Sequence, residues 1–596
     1  MRTMRAVALP VVAALALAVL PVGAADDAVL QAMTEELGRS MAKLQMEDMS
    51  RPYFIAYRVE EVAIADCAAT LGSLLRSDQS RRRILLVEVR VGEPALDNTN
   101  FLGMPGYSGR FYAGTAELPI DDDERELRRQ VWLATDAAYK QALEALSRKK
   151  ATLQNKTRTD DIPDFASQAP ATVEGEAFAP RIADPTRAVE TVRRLSAAFR
   201  DLPDVNSSTV RLLQAVAVSR YLNSEGSRFV RSTLEVRLLA TASTQALDGM
   251  LLVDFVAAYG RSLADLPAVD TLLVQVKEMA ARLAALRTAP LLETYNGPVL
   301  FEGQAAAELL AQVFVPRLLA TRDPVAESSR MVSRSGQDGP FVDKLGARVL
   351  ARFLSLADDP TLARLGDQPL LGSYPVDDDG VPTGRTELVA NGTLKTLLAT
   401  RDPVRGVLKS TGSRRGAGPA PSNLIVSTSA GMTDAELRQE LLTLAGERGL
   451  AYGVLVRRLA NPVLAMAEDP VGAMMGFWGG GMGSGVPGVI AAFKVFPDGR
   501  EELVRNVELA DVAASSFRDV VAASSVQTVT TLPFQATGSP AMAAFALAAY
   551  SGWPGDSAPL VSLATPSLLF EELTLKKPSG EVPKPPFAPR PPLKEE

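Results

Sequence analysis

One cysteine and no histidine in 596 residues leave this chain no staple to fold around. Cys67 has no partner for an intrachain disulfide, even in an oxidising compartment. It follows Asp66 in an apolar-rich stretch and reads as a small buried hydrophobe rather than a nucleophile. Order must therefore come from apolar cores. Hydrophobic residues make up 47% of the chain and charged residues 22%, a balance that suits globular folding and argues against wholesale disorder. The length exceeds what one core supports, so two or three domains are expected. The missing imidazole also removes whole classes of chemistry: Ser-His-Asp and Cys-His schemes are impossible. A Ser–Lys pair stays open, although no local signature points to one.

The N-terminus has the three parts of a secretory signal. Arg2 and Arg5 form a basic start, Ala6 to Leu20 is apolar, and Pro21 to Ala25 supplies small residues before Asp26. Residues 1–25 are expected to be a cleaved signal peptide, too short to span a membrane, which implies a periplasmic or otherwise exported protein. Losing Arg2 and Arg5 takes the formal net charge from −7 to −9. That mildly acidic balance gives no reason to expect nucleic acid as a partner. No later run reaches about 20 uninterrupted apolar residues, so no membrane span is expected.

The first half mixes long helices with strands. Val29, Met33, Leu37, Met41 and Leu44 recur at helical spacing over 28–45. Residues 53–65 and 83–92 read as strands. Asp121 with Glu124 resembles a capping box opening a helix to about 156, whose charged face reads as solvated. Residues 157–183 are polar and proline-bearing, a surface excursion, and Asp184-Pro185 starts another helix. Asn223 to Gly226 joins a hairpin of 209–222 and 227–242. Leu272, Val276, Met279, Leu283 and Leu286 form one stripe of a helix over 267–287. Pro290 and Asn296-Gly297-Pro298 mark the main boundary.

The second half opens with a strand, 298–302, and a helix, 304–320. A further helix is expected over 341–357. From 370 strands and turns dominate, ending in a hairpin of 489–496 and 501–509. The run Gly479 to Gly485 lacks the Lys-Ser/Thr of a phosphate loop and reads as a flexible loop. Asp377, Asp378 and Asp379 form an acidic turn, with a Mg²⁺ or Ca²⁺ carboxylate site as the alternative. Arg414, Arg415 and Asn423 are candidates for holding a peptide; a solvated loop is the other reading of the arginine pair. Residues 578–596, rich in Pro and Lys, read as an extended tail.

Several short blocks then fall in one order. They are Pro298-Val299-Leu300-Phe301, Phe341 to Gly346, Asp358-Asp359-Pro360, Asp378 to Thr383, Asn391 to Lys395, Ser410-Thr411-Gly412 and Pro421-Ser422-Asn423. Together they resemble the TldD/PmbA family over about 290–575. The resemblance implies an α+β fold, with a mixed N-terminal region (26–295, with 93–183 an insertion) ahead of a strand-rich C-terminal domain (296–577). It also implies a relation to metallopeptidases, whose HExxxH pattern supplies metal ligands and a proton-accepting Glu. Aligned on Leu309-Leu310, the two ligand positions fall on Ala311 and Pro316 and the Glu position on Gln312. The metal site is thus degenerate and no cofactor is expected. The implied role is a non-catalytic subunit of a peptidase complex or a peptide-binding partner, paired with a related TldD/PmbA-type chain or with itself. Two alternatives stand beside it: an active peptidase with an atypical site, and an envelope scaffold.

Overall fold

The computed structural model describes residues 27–102, 114–154, 161–175, 184–327, 341–416, 418–464, 488–505, 507–510, 512–534 and 558–577. The segment 1–25 expected to be a signal peptide, the glycine run 479–485 and the tail 578–596 lie outside them. The architecture is α+β, built on an eight-stranded and a twelve-stranded sheet.

The first sheet rests on two long antiparallel hairpins. Strand β1 (Pro52–Thr70) turns at Leu71 and Gly72 into β2 (Ser73–Glu93). Both turn residues take positive φ, 48° and 80°, as a two-residue hairpin loop requires. Strands β3 (Ser207–Asn223) and β4 (Arg228–Gln245) form the second hairpin across the expected Asn223–Gly226 turn. β3 pairs with β1, and β5 (Leu251–Gly260) adds to β4. The strands are longer than the sequence pattern implies. Residues 73–82 carry mostly exposed side chains, so they show no apolar alternation although all but Leu75 are in register with β1. Charge on such a stretch also discourages stray edge pairing.

Alternation along β1 sorts the packing. On one face Ile55, Tyr57 and Val59 meet helices α1 (Ala28–Lys43) and α2 (Glu124–Gln154). Further along, Cys67 and Ala69 meet α3 (Thr186–Ser196) and α4 (Val269–Thr288). Cys67 is buried, as expected. All five residues of the α4 stripe lie in that core. Helix α2 starts later than expected: the Asp123 carboxylate, not that of Asp121, accepts from the Glu126 N–H. Its charged face is not wholly solvated either. Lys149 is buried and donates to Asp164, 2.6 Å away, and to the carbonyls of Asp97 and Thr99. Asp164 and Phe165 are buried too, so this part of 157–183 is an internal plug rather than a surface excursion.

The second sheet centres on a 17-residue strand. Numbered in chain order, its main members are β6 (Tyr295–Phe301), β7 (Leu354–Asp358), β8 (Asn423–Thr428), β9 (Gly453–Leu459), β10 (Val489–Val495), β11 (Val520–Pro533) and β12 (Leu560–Lys576). β12 pairs antiparallel with β6 and β11 and parallel with β8. Residues 341–357 do not form the expected helix. A single 3₁₀ turn, Phe341–Lys344, is followed by Gly346 at φ 78° and then by β7 between β8 and Thr386–Ala390. Leu354 and Leu356 point into one core with period two, a period that a short apolar run cannot declare from sequence. Helix α6 (Asp434–Glu447), capped reciprocally by Thr433 and Glu436, was not expected. It packs on Leu300 and Leu455, while Val299 and Phe301 face the opposite core.

Helix α5 (Gln304–Leu309) begins the segment expected to be helical to 320. It continues as a π turn, Leu310–Phe314, and a 3₁₀ turn, Val315–Leu318. Pro316 accounts for the change: it has no N–H for the carbonyl four residues back, and its ring would strike that carbonyl in a regular helix.

Candidate functional site in the cleft beside Glu308

Every fourth residue of α5 and its π extension is polar on one side: Gln304, Glu308 and Gln312. Glu308 is 2% exposed. Its carboxylate accepts from Gln304 Nε2 at 3.4 Å, Gln312 Nε2 at 2.7 Å and Asn461 Nδ2 at 3.1 Å. Gln304 and Gln312 also donate to the carbonyls of Leu459 and Ala460, both at 2.9 Å. The end of β9 thus holds this polar stripe in place. Burial pushes the Glu308 carboxyl up to about 7, against the opposing pull of its amide donors and of Arg458.

Glu308 and Gln304 form part of the wall of a cavity of about 340 Å³ between α4, α5, β5, β9 and β11. Asp254 of β5, fully buried, organises the cationic side. Its Oδ1 accepts from Arg458 Nε at 3.0 Å and its Oδ2 from Arg282 Nε at 2.8 Å. Arg458 also donates to the Phe255 carbonyl and stacks its guanidinium 5.0 Å from the Phe255 ring. Sequence reading passed over Asp254, Arg282, Arg458 and Asn461. The elements that carry them, β5, α4 and the end of β9 with the loop after it, meet only in the fold, and β5 itself had no expectation attached.

The expected site residues are dispersed. Ala311 is packed in the core, and Pro316 sits in the 3₁₀ turn. Gln312 alone of the three reaches the polar stripe. Arg414 is not in a solvated loop: it pairs with Asp379 at 3.2 Å, and its backbone N–H donates to Asp377. Arg415 donates to the carbonyls of Pro421 and Leu560 and stacks over Tyr374. Asn423 is buried, donating to the carbonyls of Asp359 and Leu362 and accepting from the Gly372 N–H. These three side chains bind the fold to itself.

The acidic turn is likewise internal. Asp377 accepts from the N–H groups of Asp379 and Val381, and burial, with the neighbouring Asp379 carboxylate, pushes its carboxyl up. Asp378 meets Arg58 at 2.6 Å and also Arg231. With these oxygens committed to arginines and backbone, the turn does not fit a Mg²⁺ or Ca²⁺ site. The α5 region does not fit zinc: its one buried carboxylate faces three amides, and the chain has no imidazole to join it. Among the described residues no group of three or more Cys, Asp or Glu is placed to hold a metal ion.

The raised Glu308 carboxyl makes a stability prediction. A folded-state value above the unfolded one contributes stability at low pH that is lost as pH rises through about 7. Glu308→Gln removes this loss. Relative to the parent, the variant should gain up to about 3 kcal/mol on going from pH 4.5 to pH 8. Urea unfolding at both pH values measures the difference; a gain that does not change with pH would contradict the assignment.

Comparison with known proteins gives the following. Residues 294–470 match the family model of the PmbA/TldA metallopeptidase C-terminal domain. A 65-residue stretch is 40% identical to a metalloprotease from Methanocaldococcus jannaschii, covering 11% of this chain and 13% of that protein. TldE from Thermococcus kodakarensis superposes with a TM-score of 0.55 at 14% identity, over 91% of this chain and 100% of that one. A protein described as a modulator of a DNA gyrase, from Thermotoga maritima, gives 0.54 at 15% identity over 88% and 96%. A second so described, from Bacteroides thetaiotaomicron, gives 0.57 at 11% over 93% and 99%. At these identities the structural likeness is one of fold.

Proposed function

The chain belongs to the TldD/PmbA family through its C-terminal domain, and from that premise we propose that it is a histidine-free, peptide-binding subunit, exported from the cytoplasm. One observation carries the reading. The polar side of the segment aligned with the family's metal-bearing helix is tied into amide hydrogen bonds around Glu308, yet it still borders a cavity. A cleft without metal ligands keeps its capacity to bind while losing zinc hydrolysis. Among the described residues no helix is long and apolar enough to cross a membrane. The likeness to TldE and to a metalloprotease motivates a related subunit as partner.

Affinity capture from the native periplasm tests this reading. The expected result is recovery of a mature chain lacking residues 1–25, with a histidine-bearing relative or with peptides, and without stoichiometric zinc by elemental analysis. About one zinc per chain at micromolar protein, or capture of envelope components without peptide, would overturn it. A second reading, an active peptidase of atypical mechanism, is favoured by one specific feature: a cavity-lining carboxyl near 7 is tuned for proton transfer at neutral pH. Peptide cleavage that survives chelators and is abolished by Glu308→Gln would select that reading.

A further inference from the structure

We propose that the cavity beside Glu308 binds the free carboxylate end of a short peptide, clamped between Arg282 and Arg458; this rests on the peptide-binding reading above. The geometry begins with Asp254. Its single buried carboxylate serves two guanidinium groups, and the other carboxylates on the cavity wall, Glu278 and Glu308, form no ion pair with either arginine among the described residues. Arg282 spends Nε and Nη2 on Asp254. Arg458 spends Nε on Asp254 and Nη2 on the Phe255 carbonyl. No protein acceptor for the Nη1 group of either is found among the described residues, and both side chains line the cavity. Asp254 therefore acts as the positioning residue, fixing two forks whose remaining N–H groups are free for a ligand.

The other walls narrow the ligand class. Thr530 and Thr531 of β11 line it, the Thr531 hydroxyl sharing a hydrogen bond with Ser562, and Phe255 and Leu532 supply apolar surface. Glu308 is held by its three amides and makes no hydrogen bond to either arginine. Glu278, one turn before Arg282 on α4, is exposed on the cavity's lining. The volume, about 340 Å³, is at the small end for ligand sites, which run from about 300 to 1,000 Å³. It suits the last two or three residues of a chain, not a folded partner. Half-buried arginines oriented by a buried carboxylate favour a planar, bidentate anion, which a peptide's terminal carboxylate is.

The test compares N-acetyl-trialanine with its C-terminal amide by isothermal titration against the purified full-length protein. The acid should bind at least about tenfold more tightly, the scale of one charge-assisted interaction. Arg282→Gln should erase most of the acid's advantage over the amide. Equal binding of acid and amide would refute the clamp while leaving the peptide-binding reading in place. Binding of neither would refute both. Displacement of the peptide by inorganic phosphate as readily as by acetate would show a general anion site and overturn the assignment to a peptide terminus. Should Arg282→Gln fail to fold, the acid–amide comparison on the parent protein decides alone.

Discussion

Phe314→Asp should unfold the C-terminal half of the molecule. Phe314 closes the π turn that follows α5 and is fully buried. Its ring lies 5.1 Å from that of Phe517 and 5.6 Å from that of Phe341; Phe517 in turn meets Phe570, which meets Phe301. This chain of rings links α5, β6, β12 and the turn before β11 through one core. Removing a ring from it costs about 3–5 kcal/mol. Leaving an unpaired carboxylate there adds several more. The sum approaches the whole stability of a typical domain, about 5–15 kcal/mol. Phe314→Leu, which keeps the apolar character, should cost far less. Chemical denaturation of the two variants beside the parent gives the ranking. An Asp variant with unchanged thermal stability and unchanged oligomeric mass would show that this segment is not the centre of the core.

What could be read from the sequence was local. The α4 stripe, the Asn223–Gly226 turn and the strand at 298–302 each depend on residues within about one element of one another, and each is present. The apolar character of 304–320 also predicted burial, although the geometry of the helix past Leu309 did not follow from it. Pro316 changes the hydrogen-bonding pattern over the preceding turn, an effect that apolar spacing alone does not convey. Residues 341–357 show the limit of periodicity. Val349, Leu350, Phe353 and Leu354 fit helical spacing, but pairing between β8 and Thr386–Ala390 decides for a strand.

Charge was least legible, because its partners are remote in sequence. Lys149 read as part of a solvated face, yet Asp164 holds it inside. Arg414 and Arg415 read as a surface pair, yet their partners Asp379, Pro421 and Leu560 enclose them. The candidate site follows the same rule. Glu308 stands three residues before the aligned position Ala311. The amides that hold it and the arginines across the cavity come from 4 to 153 residues away. No local signal marked Asp254. Alternation in 251–260, with Leu252, Asp254 and Val256 buried, is the pattern that could have revealed its strand.

The same contrast sets the largest electrostatic prediction, Asp378→Asn. Asp378 sits where the face of β1 carrying Phe54 and Ala56 meets the turn Asp377–Gly380. Arg58 approaches one of its oxygens at 2.6 Å, the Gly416 N–H donates to the same oxygen at 2.6 Å, and Arg231 meets the other. Burial alone would raise this carboxyl, but Arg58 and Arg231 overrule it and hold it well below the usual carboxylate range. Asparagine preserves the shape and removes the charge. Among the described residues Arg58 then retains Glu60, at 3.6 Å, and Arg231 retains the Val376 carbonyl. Breaking a buried pair from one side typically costs about 3–5 kcal/mol, and here two cations are stranded. The sign of the pH dependence is opposite to that of Glu308. A depressed folded-state value gives stability that is present above the unfolded value and lost as pH falls. The cost of Asp378→Asn should therefore be full at pH 7 and shrink below about pH 4. Denaturation of parent and variant across that range measures it. A cost under about 1 kcal/mol at pH 7, or one that grows on acidification, would mean that Asp378 does not hold the two halves together.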